Sequence, residues 1–338
     1  MGQGLIQLGW IPYWNLLPLH CELQRLAGGA LKVMTGHPSV VSRWLAEGTV
    51  QLAPASSIAL FKSKQLEMAL PLGIASDGPV QSVYIGIQRE HEPILEFIRE
   101  RQLALAVRFR DVLAQTGQDM RQSATLIWSM TSHDDPKVGM PKLRLTPSSA
   151  ASAALTQVLM NLWFGSSKAA KILATASSAD VQGQNPNFED RPMELVIGDE
   201  ALQRRHEFWR VLDLGQVWFE LTGLPFVFGL WQTASPLVPQ SIKNLVAEAA
   251  SLAQARMSVE PQAYFPETMP RCGDSKDVNL AAYWKVIQYK LTDRHIRSLL
   301  LYFSLYHQAC GRADDDAMAL RFFHWDRAWG EANRSANL

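Results

Sequence analysis

The chain is 338 residues long, enough for about two domains at roughly 150 residues each. Hydrophobic residues make up 47% and charged residues 19%, a globular composition that excludes a disordered chain. Lys and Arg number 32 and Asp and Glu number 32, so the chain lacks the basic excess that nucleic acid or an anionic membrane surface selects.

The opening MGQGLIQLGWIPYWN has no basic start and no long apolar core before a small-residue site. No secretory signal is expected from it, and the chain reads as cytoplasmic. No apolar run approaches the roughly 20 residues that span a bilayer. Short apolar runs alternate with longer amphipathic ones, which is the α/β pattern. Leu5–Trp10 reads as a strand, followed by the loop Ile11-Pro12-Tyr13-Trp14-Asn15 and a helix over Leu17–Leu26. Leu31–Met34 is a second strand. Gly36-His37-Pro38 then opens a helix, with Pro38 suited to its first turn and Val40, Val41, Trp44 and Leu45 on one face. Strand Val50–Ala53, short helix Ser56–Lys64 and strand Met68–Leu72 come next. In Val80–Ile87, Val83, Ile85 and Ile87 alternate with Ser82, Tyr84 and Gly86, as a strand requires.

Glu90 to about Gln115 reads as a long charged helix, with Ile94, Leu95, Ile98, Leu105 and Phe109 on its buried side. Leu126–Trp128 reads as a strand between polar loops, and Leu143–Thr146 as another. A helix runs from Ser148 to about Phe164, and strands are expected at Lys171–Thr175 and Glu194–Ile197. The apolar stretch Leu224–Leu230 is short and follows Gly223, so it reads as a buried strand. Beyond Pro239 the chain is mostly helical, over Ser241–Ala255, Val278–Leu291, Asp293–Cys310 and Asp316–Glu331.

The usual cofactor signatures are missing. There is no GxGxxG, no GxxxxGK[ST], no HExxH and no GxSxG. The eight histidines are scattered, and Cys21, Cys272 and Cys310 form no CxxC pair. No cofactor and no metal are expected. One positive pattern remains: small neutral donors stand where strands lead into helices. Asn15 follows the first strand, Ser56 and Ser57 follow the third, and Ser148, Ser149 and Ser152 open a later helix. Helix starts present free N–H groups and a positive dipole end, and amide or hydroxyl side chains can complete an anion site there. Any one such residue can equally be a simple cap, worth about 1 kcal/mol. Two further residues have two readings each. Asp199 either faces the cleft or caps the helix after it, and Trp14 either stacks on a ligand ring or fills the core.

The same residues carry a family resemblance. Ile11-Pro12-Tyr13-Trp14-Asn15 with Leu17-Pro18-Leu19 resembles the PYxNxxPL signature of chorismate dehydratases, which open the futalosine route to menaquinone. Gly36-His37-Pro38, Leu45-Ala46-Glu47-Gly48, Ala55-Ser56-Ser57 and Gly78-Pro79-Val80-Gln81-Ser82-Val83 are similar to that family in order. So are Ile197-Gly198-Asp199-Glu200-Ala201-Leu202, Asp213-Leu214-Gly215 with Trp218, and Thr222-Gly223-Leu224-Pro225-Phe226-Val227-Phe228 with Trp231. Tyr283 to Leu291 and Phe303 resemble the C-terminal helices. The sister enzyme, dihydroxynaphthoate synthase, carries a different first loop.

The resemblance implies a periplasmic-binding-protein type II-like fold, with two α/β lobes around a cleft and a helical C-terminus. Lobe one would hold residues 1–88 and 225–338. Lobe two would hold 89–224, including an insertion at about 95–142. The implied reaction removes water from chorismate to give 3-[(1-carboxyvinyl)oxy]benzoate. By resemblance Asn15 and Ser82 are the catalytic polar groups, and Ser56, Ser57, Ser149 and Ser152 hold carboxylates. Ser149-Ala150-Ala151-Ser152 stands where the family carries Ser-Arg-Thr-Ser, Gln51 where it more often has Asp, and Trp14 where it has a smaller residue. Two functions therefore stay open: a hydro-lyase acting on chorismate, or a non-catalytic cytosolic binding protein for a small aromatic or enolpyruvyl carboxylate. Either takes a small-molecule carboxylate as its partner, with no nucleic acid and no membrane.

Overall fold

The computed structural model describes residues 6–29, 31–63, 65–117, 119–131, 141–146, 148–177, 192–234, 238–265 and 278–311. Strand β1 (Ile6–Trp10) leads through the 11–16 loop to α1 (Leu17–Ala27). Then β2 (Leu31–Thr35) pairs in parallel with β1, as a right-handed crossover allows. Helix α2 (Pro38–Ala46) buries Val41 and Leu45. Strand β3 (Ala53–Ser56), helix α3 (Ser57–Lys62) and strand β4 (Glu67–Ser76) follow. A parallel bridge from Leu8 to Leu52 ties β1 to the segment entering β3.

The second sheet begins with β5 (Val83–Ile87), buried along its whole length. Helix α4 (Glu92–Thr116) buries Leu95, Ile98, Gln102, Leu105, Phe109 and Val112, the three- and four-residue spacing of one helix face. Helix α5 (Met120–Thr131) packs beside it. Short β6 (Leu143–Arg144) precedes α6 (Ala150–Phe164), which is buried on nearly all sides and sits at the centre of the helical layer. Helix α7 (Ser166–Ser177), β7 (Met193–Ile197), α8 (Gly198–Arg204), β8 (Arg210–Asp213) and α9 (Leu214–Thr222) complete this half. The strand order is β6-β7-β5-β8.

The chain then returns to the first half as β9 (Phe226–Thr233), which runs antiparallel between β3 and β4. Helix α10 (Gln240–Val259) packs on α1. Helix α11 (Leu280–Val286) leads into β10 (Gln288–Lys290), which adds antiparallel to the outer side of β4. Helix α12 (Asp293–Ala309) packs on α5 and α6, and the Tyr302 hydroxyl joins it to α6 by donating to the Ala151 carbonyl at 2.9 Å. The order β10-β4-β9-β3 completes this half beside the two-stranded β1-β2 sheet, and the chain crosses twice between it and the β6-β7-β5-β8 sheet.

Four sequence expectations change. Leu126–Trp128 is helix, because Met120, Ala124, Ile127 and Thr131 recur at helical spacing and turn one face inward. Lys171–Thr175 also lies in a helix, in which Ala169 and Ile172 are buried three residues apart. The helix expected over Val278–Leu291 stops at Val286, where the chain extends to pair with β4. Residue 88 lies beyond β5, yet β5 hydrogen-bonds to β7 and β8, so the first crossing falls at 77–82. The helix expected at 316–331, and Cys272, lie outside the described residues.

The first crossing is tightly held. Gly78 has φ +104° and Gln81 has φ +67°, both in the left-handed half of backbone space. For Gln81 that conformation costs about 1–2 kcal/mol. The Asp213 carboxylate offsets it by accepting from Val80 N–H at 3.0 Å and Gln81 N–H at 2.7 Å, while capping α9 through Gln216 N–H at 3.1 Å. Arg294 joins the two crossings. Its guanidinium donates to Asp77 at 2.6 and 3.2 Å and to the Gly223 carbonyl at 2.8 Å.

Candidate functional site

A cavity partly open to solvent lies between the two four-stranded sheets. Its apolar wall includes Ile11, Ile74, Val80, Val83, Ile197 and Phe228. Its polar lining is Tyr13, Asn15, Ser56, Ser82, Ser148, Ser149 and Ser152, and among the described residues no Asp, Glu, Lys, Arg or His lines it. Mostly apolar walls with a few converging polar groups are the usual character of a small-molecule site. Among the described residues, no three His, Cys, Asp or Glu gather as metal ligands, and no helix is long and apolar enough to cross a membrane.

Five of the expected residues meet here: Asn15, Ser56, Ser82, Ser149 and Ser152. They come from four separate junctions. Asn15 sits in the loop between β1 and α1, and that loop is pinned from far along the chain. Trp14 N–H donates to Asp199 Oδ1 at 3.0 Å. The Trp14 carbonyl accepts from Trp284 Nε1 at 2.7 Å, and the Asn15 carbonyl accepts from the Tyr289 hydroxyl at 2.6 Å. With its backbone fixed, the Asn15 side chain faces the cavity. Its Oδ1 is buried and has no hydrogen-bond partner among the described residues.

Ser56 stands at the N-terminus of α3 but makes no side-chain cap, and its Oγ is buried without a partner. Ser82 is 1% exposed, its carbonyl accepts from Gly198 N–H at 2.7 Å, and its Oγ accepts from the Tyr283 hydroxyl at 2.9 Å. Ser149 caps α6: its Oγ accepts from Ser152 N–H at 3.3 Å and lies 2.8 Å from Ser152 Oγ.

The other three expected residues stand off the lining. Ser57 is fully buried with its Oγ unpartnered. Trp14 is half-buried and serves the site through its backbone. Asp199 neither lines the cavity nor caps α8, which has no side-chain cap; its carboxylate holds the Asn15 loop instead. Burial pushes its carboxyl up to about 6, and the Trp14 N–H partly offsets that. Burial also raises the Tyr13 phenol, with Asp199 and Glu200 adding to it. Gly198 has φ +68°, and a Cβ there would lie 3.1 Å from the Tyr13 ring, so only glycine fits this corner.

Two contributors escaped the sequence reading. Tyr283 is fully buried behind Ser82, and burial raises its phenol well above the ordinary range. On α11 it looks like one more core aromatic beside Leu280 and Trp284, and only the fold brings it to Ser82 across 201 positions. Lys62 lines an adjoining cavity that shares Pro38, Ser56 and Ser148 with the main one, and its ammonium lies 5.5 Å from the Tyr306 ring centre.

A family model described as menaquinone biosynthesis matches residues 6–107 and 121–308. Among solved structures, the periplasmic aliphatic sulphonate-binding protein of Escherichia coli is similar at 12% identity and TM-score 0.52, over 95% of this chain and 92% of that one. A Candida albicans protein described as having the generic periplasmic binding protein fold is similar at 10% identity and TM-score 0.49, over 94% of both chains. A structural-genomics protein from Archaeoglobus fulgidus is similar at 9% identity and TM-score 0.45, over 96% of this chain and 97% of that one. The two-lobed binding-protein fold read from the sequence is the fold of this chain.

Proposed function

The chain belongs to the menaquinone biosynthesis family, and from that premise we propose that it is a hydro-lyase converting chorismate to 3-[(1-carboxyvinyl)oxy]benzoate. The observation that carries the reading is the cavity itself: unpartnered neutral oxygens of Asn15 and Ser56, with Ser82, facing one apolar-walled space where, among the described residues, Tyr13 is the only ionisable acid or base. Such a site lacks a carboxylate or imidazole to take a carbon-bound proton at neutral pH. The chemistry therefore suits a substrate that carries its own base.

Chorismate does. Its C3 hydrogen is vinylogously acidic, because the ring carboxylate accepts the charge through the diene. The enolpyruvyl carboxylate takes that proton, the C4–oxygen bond breaks, and the C3–H electron pair becomes the third ring double bond. The proton leaves with the C4 hydroxyl as water, so the atoms balance without a cofactor. The protein's part is to hold the carboxylate against C3–H and to stabilise the charge that develops. In this reading, Ser56 and the first-turn N–H groups of α6 receive carboxylate oxygens, and Asn15 and Ser82 bind around C3 and C4. The apolar wall keeps those hydrogen bonds strong by excluding water.

Incubating the purified protein with chorismate, and following absorbance and product mass, tests the proposal. The expected product is 18 mass units lighter, the about 18 of one water expelled as the preorganised site aromatises the ring. Saturable chorismate binding without product would overturn the lyase reading in favour of a silent binding protein.

A further inference from the structure

The reading above names polar groups but leaves open which of them gives a proton and which takes one. We propose that Tyr283 is a positioning residue that sets the polarity of Ser82, making it a donor toward the ligand beside the unpartnered acceptor Asn15 Oδ1. The proposal rests on the cavity being the acid-binding site argued above.

The argument is a count of protons. Tyr283 has one, and it is committed: the hydroxyl donates to Ser82 Oγ at 2.9 Å. Ser82 therefore receives from behind and keeps its own proton to give. Ser82 lines the cavity, so that proton is available to a ligand oxygen. Asn15 Oδ1, an amide oxygen that can only accept, is buried at the same cavity without a partner among the described residues. Tyr283 is itself fixed. It is 1% exposed, on a helix capped by Asn279, whose Oδ1 accepts from Ala282 N–H at 3.0 Å.

The cavity then presents one acceptor and one donor in fixed places. The matching ligand carries a hydroxyl to donate to Asn15 beside an oxyanion to accept from Ser82, which is a hydroxy acid rather than a plain acid. Tyr283 stands behind the lining and acts through Ser82.

The test is a double-mutant cycle on turnover of chorismate, using wild type, Tyr283→Phe, Ser82→Ala and the double variant. Tyr283→Phe is expected to lower kcat at least about 10-fold with KM nearly unchanged, because the lost orientation matters most in the transition state. In the Ser82→Ala background the same change is expected to have little further effect. Unchanged kcat in Tyr283→Phe, or equal losses in both backgrounds, would overturn the proposal. Should Tyr283→Phe not fold, 3-fluorotyrosine placed at 283 alone keeps the size and alters the donor. It is expected to shift kcat only when Ser82 is present; a shift that persists in Ser82→Ala, or none at all, counts against the idea. If wild type makes no product, the dehydration reading fails and the polarity claim is read separately by calorimetry. Wild type is then expected to bind 3-hydroxybenzoate more tightly than Tyr283→Phe does, and the two are expected to bind alike once Ser82 is changed to Ala. Equal affinities of wild type and Tyr283→Phe sink the proposal.

Discussion

Two polar edges of the cavity are built from the same residue types and behave differently. At the start of α6, Ser149 and Ser152 satisfy each other: one Oγ accepts the other residue's N–H, and the two hydroxyls lie 2.8 Å apart. On the opposite edge, Asn15 Oδ1 and Ser56 Oγ are buried with no partner. A buried polar atom without a hydrogen bond costs about 1–3 kcal/mol, so the fold retains a real penalty on one edge and none on the other. The contrast separates residues that serve the helix from residues that wait for a ligand. Composition cannot make that distinction, since both edges read as small polar residues at helix starts.

The sharpest way to break the comparison is Asn15→Ala. It removes the unpaired acceptor, and kcat for chorismate is expected to fall about 100-fold or more, as when a reacting group loses its positioning. A loss under a few-fold would show that the unpaired edge is idle. Next in size is Ser56→Ala. Loss of one hydrogen bond to a charged carboxylate is expected to raise KM about 10-fold, with kcat less affected. Equal KM values for the two proteins would return Ser56 to the role of a helix-start residue.

The third prediction concerns pH. The Asp199 carboxyl titrates near 6 in the folded protein against an ordinary 3.8, because burial disfavours its charge. Between these values the folded chain keeps a proton that the unfolded chain has released, so stability falls as pH rises through that window and levels off above it. Asp199→Asn still accepts the Trp14 N–H and cannot titrate. Its melting temperature is expected to lack this decline, and superimposable pH profiles of the two proteins would refute the assignment. The smallest effect belongs to the satisfied edge. Ser149→Ala is expected to cost about 1 kcal/mol of stability by loss of the cap, with kcat within about 2-fold. A large catalytic loss there would erase the contrast.

Much of the fold was legible because local pattern and global architecture agree. The α/β alternation, the strand at Val83–Ile87 and the returning strand at Phe226 all follow from apolar spacing and a glycine-marked turn. The errors came from short apolar runs. Leu126-Ile127-Trp128 looks extended in isolation, and only the wider window from Met120 to Thr131 shows the helical period. The turn from α11 into β10 is set by β4, a tertiary partner invisible to local reading. At the site, junction chemistry picked out Asn15 and Ser56. It could not reveal that Asp199 serves the Trp14 backbone, nor that Tyr283 backs Ser82, because both links join distant parts of the chain.

The pinning of the first loop has a consequence for how the protein is made. Residues 14 and 15 leave the ribosome early, yet their carbonyls rest on Trp284 and Tyr289, 270 and 274 positions further along, which emerge last among these contacts. Contacts this distant in sequence are slow to form. A nascent chain has no finished floor for its ligand until the final fifth has been translated, so neither substrate nor product can hold a half-made molecule together.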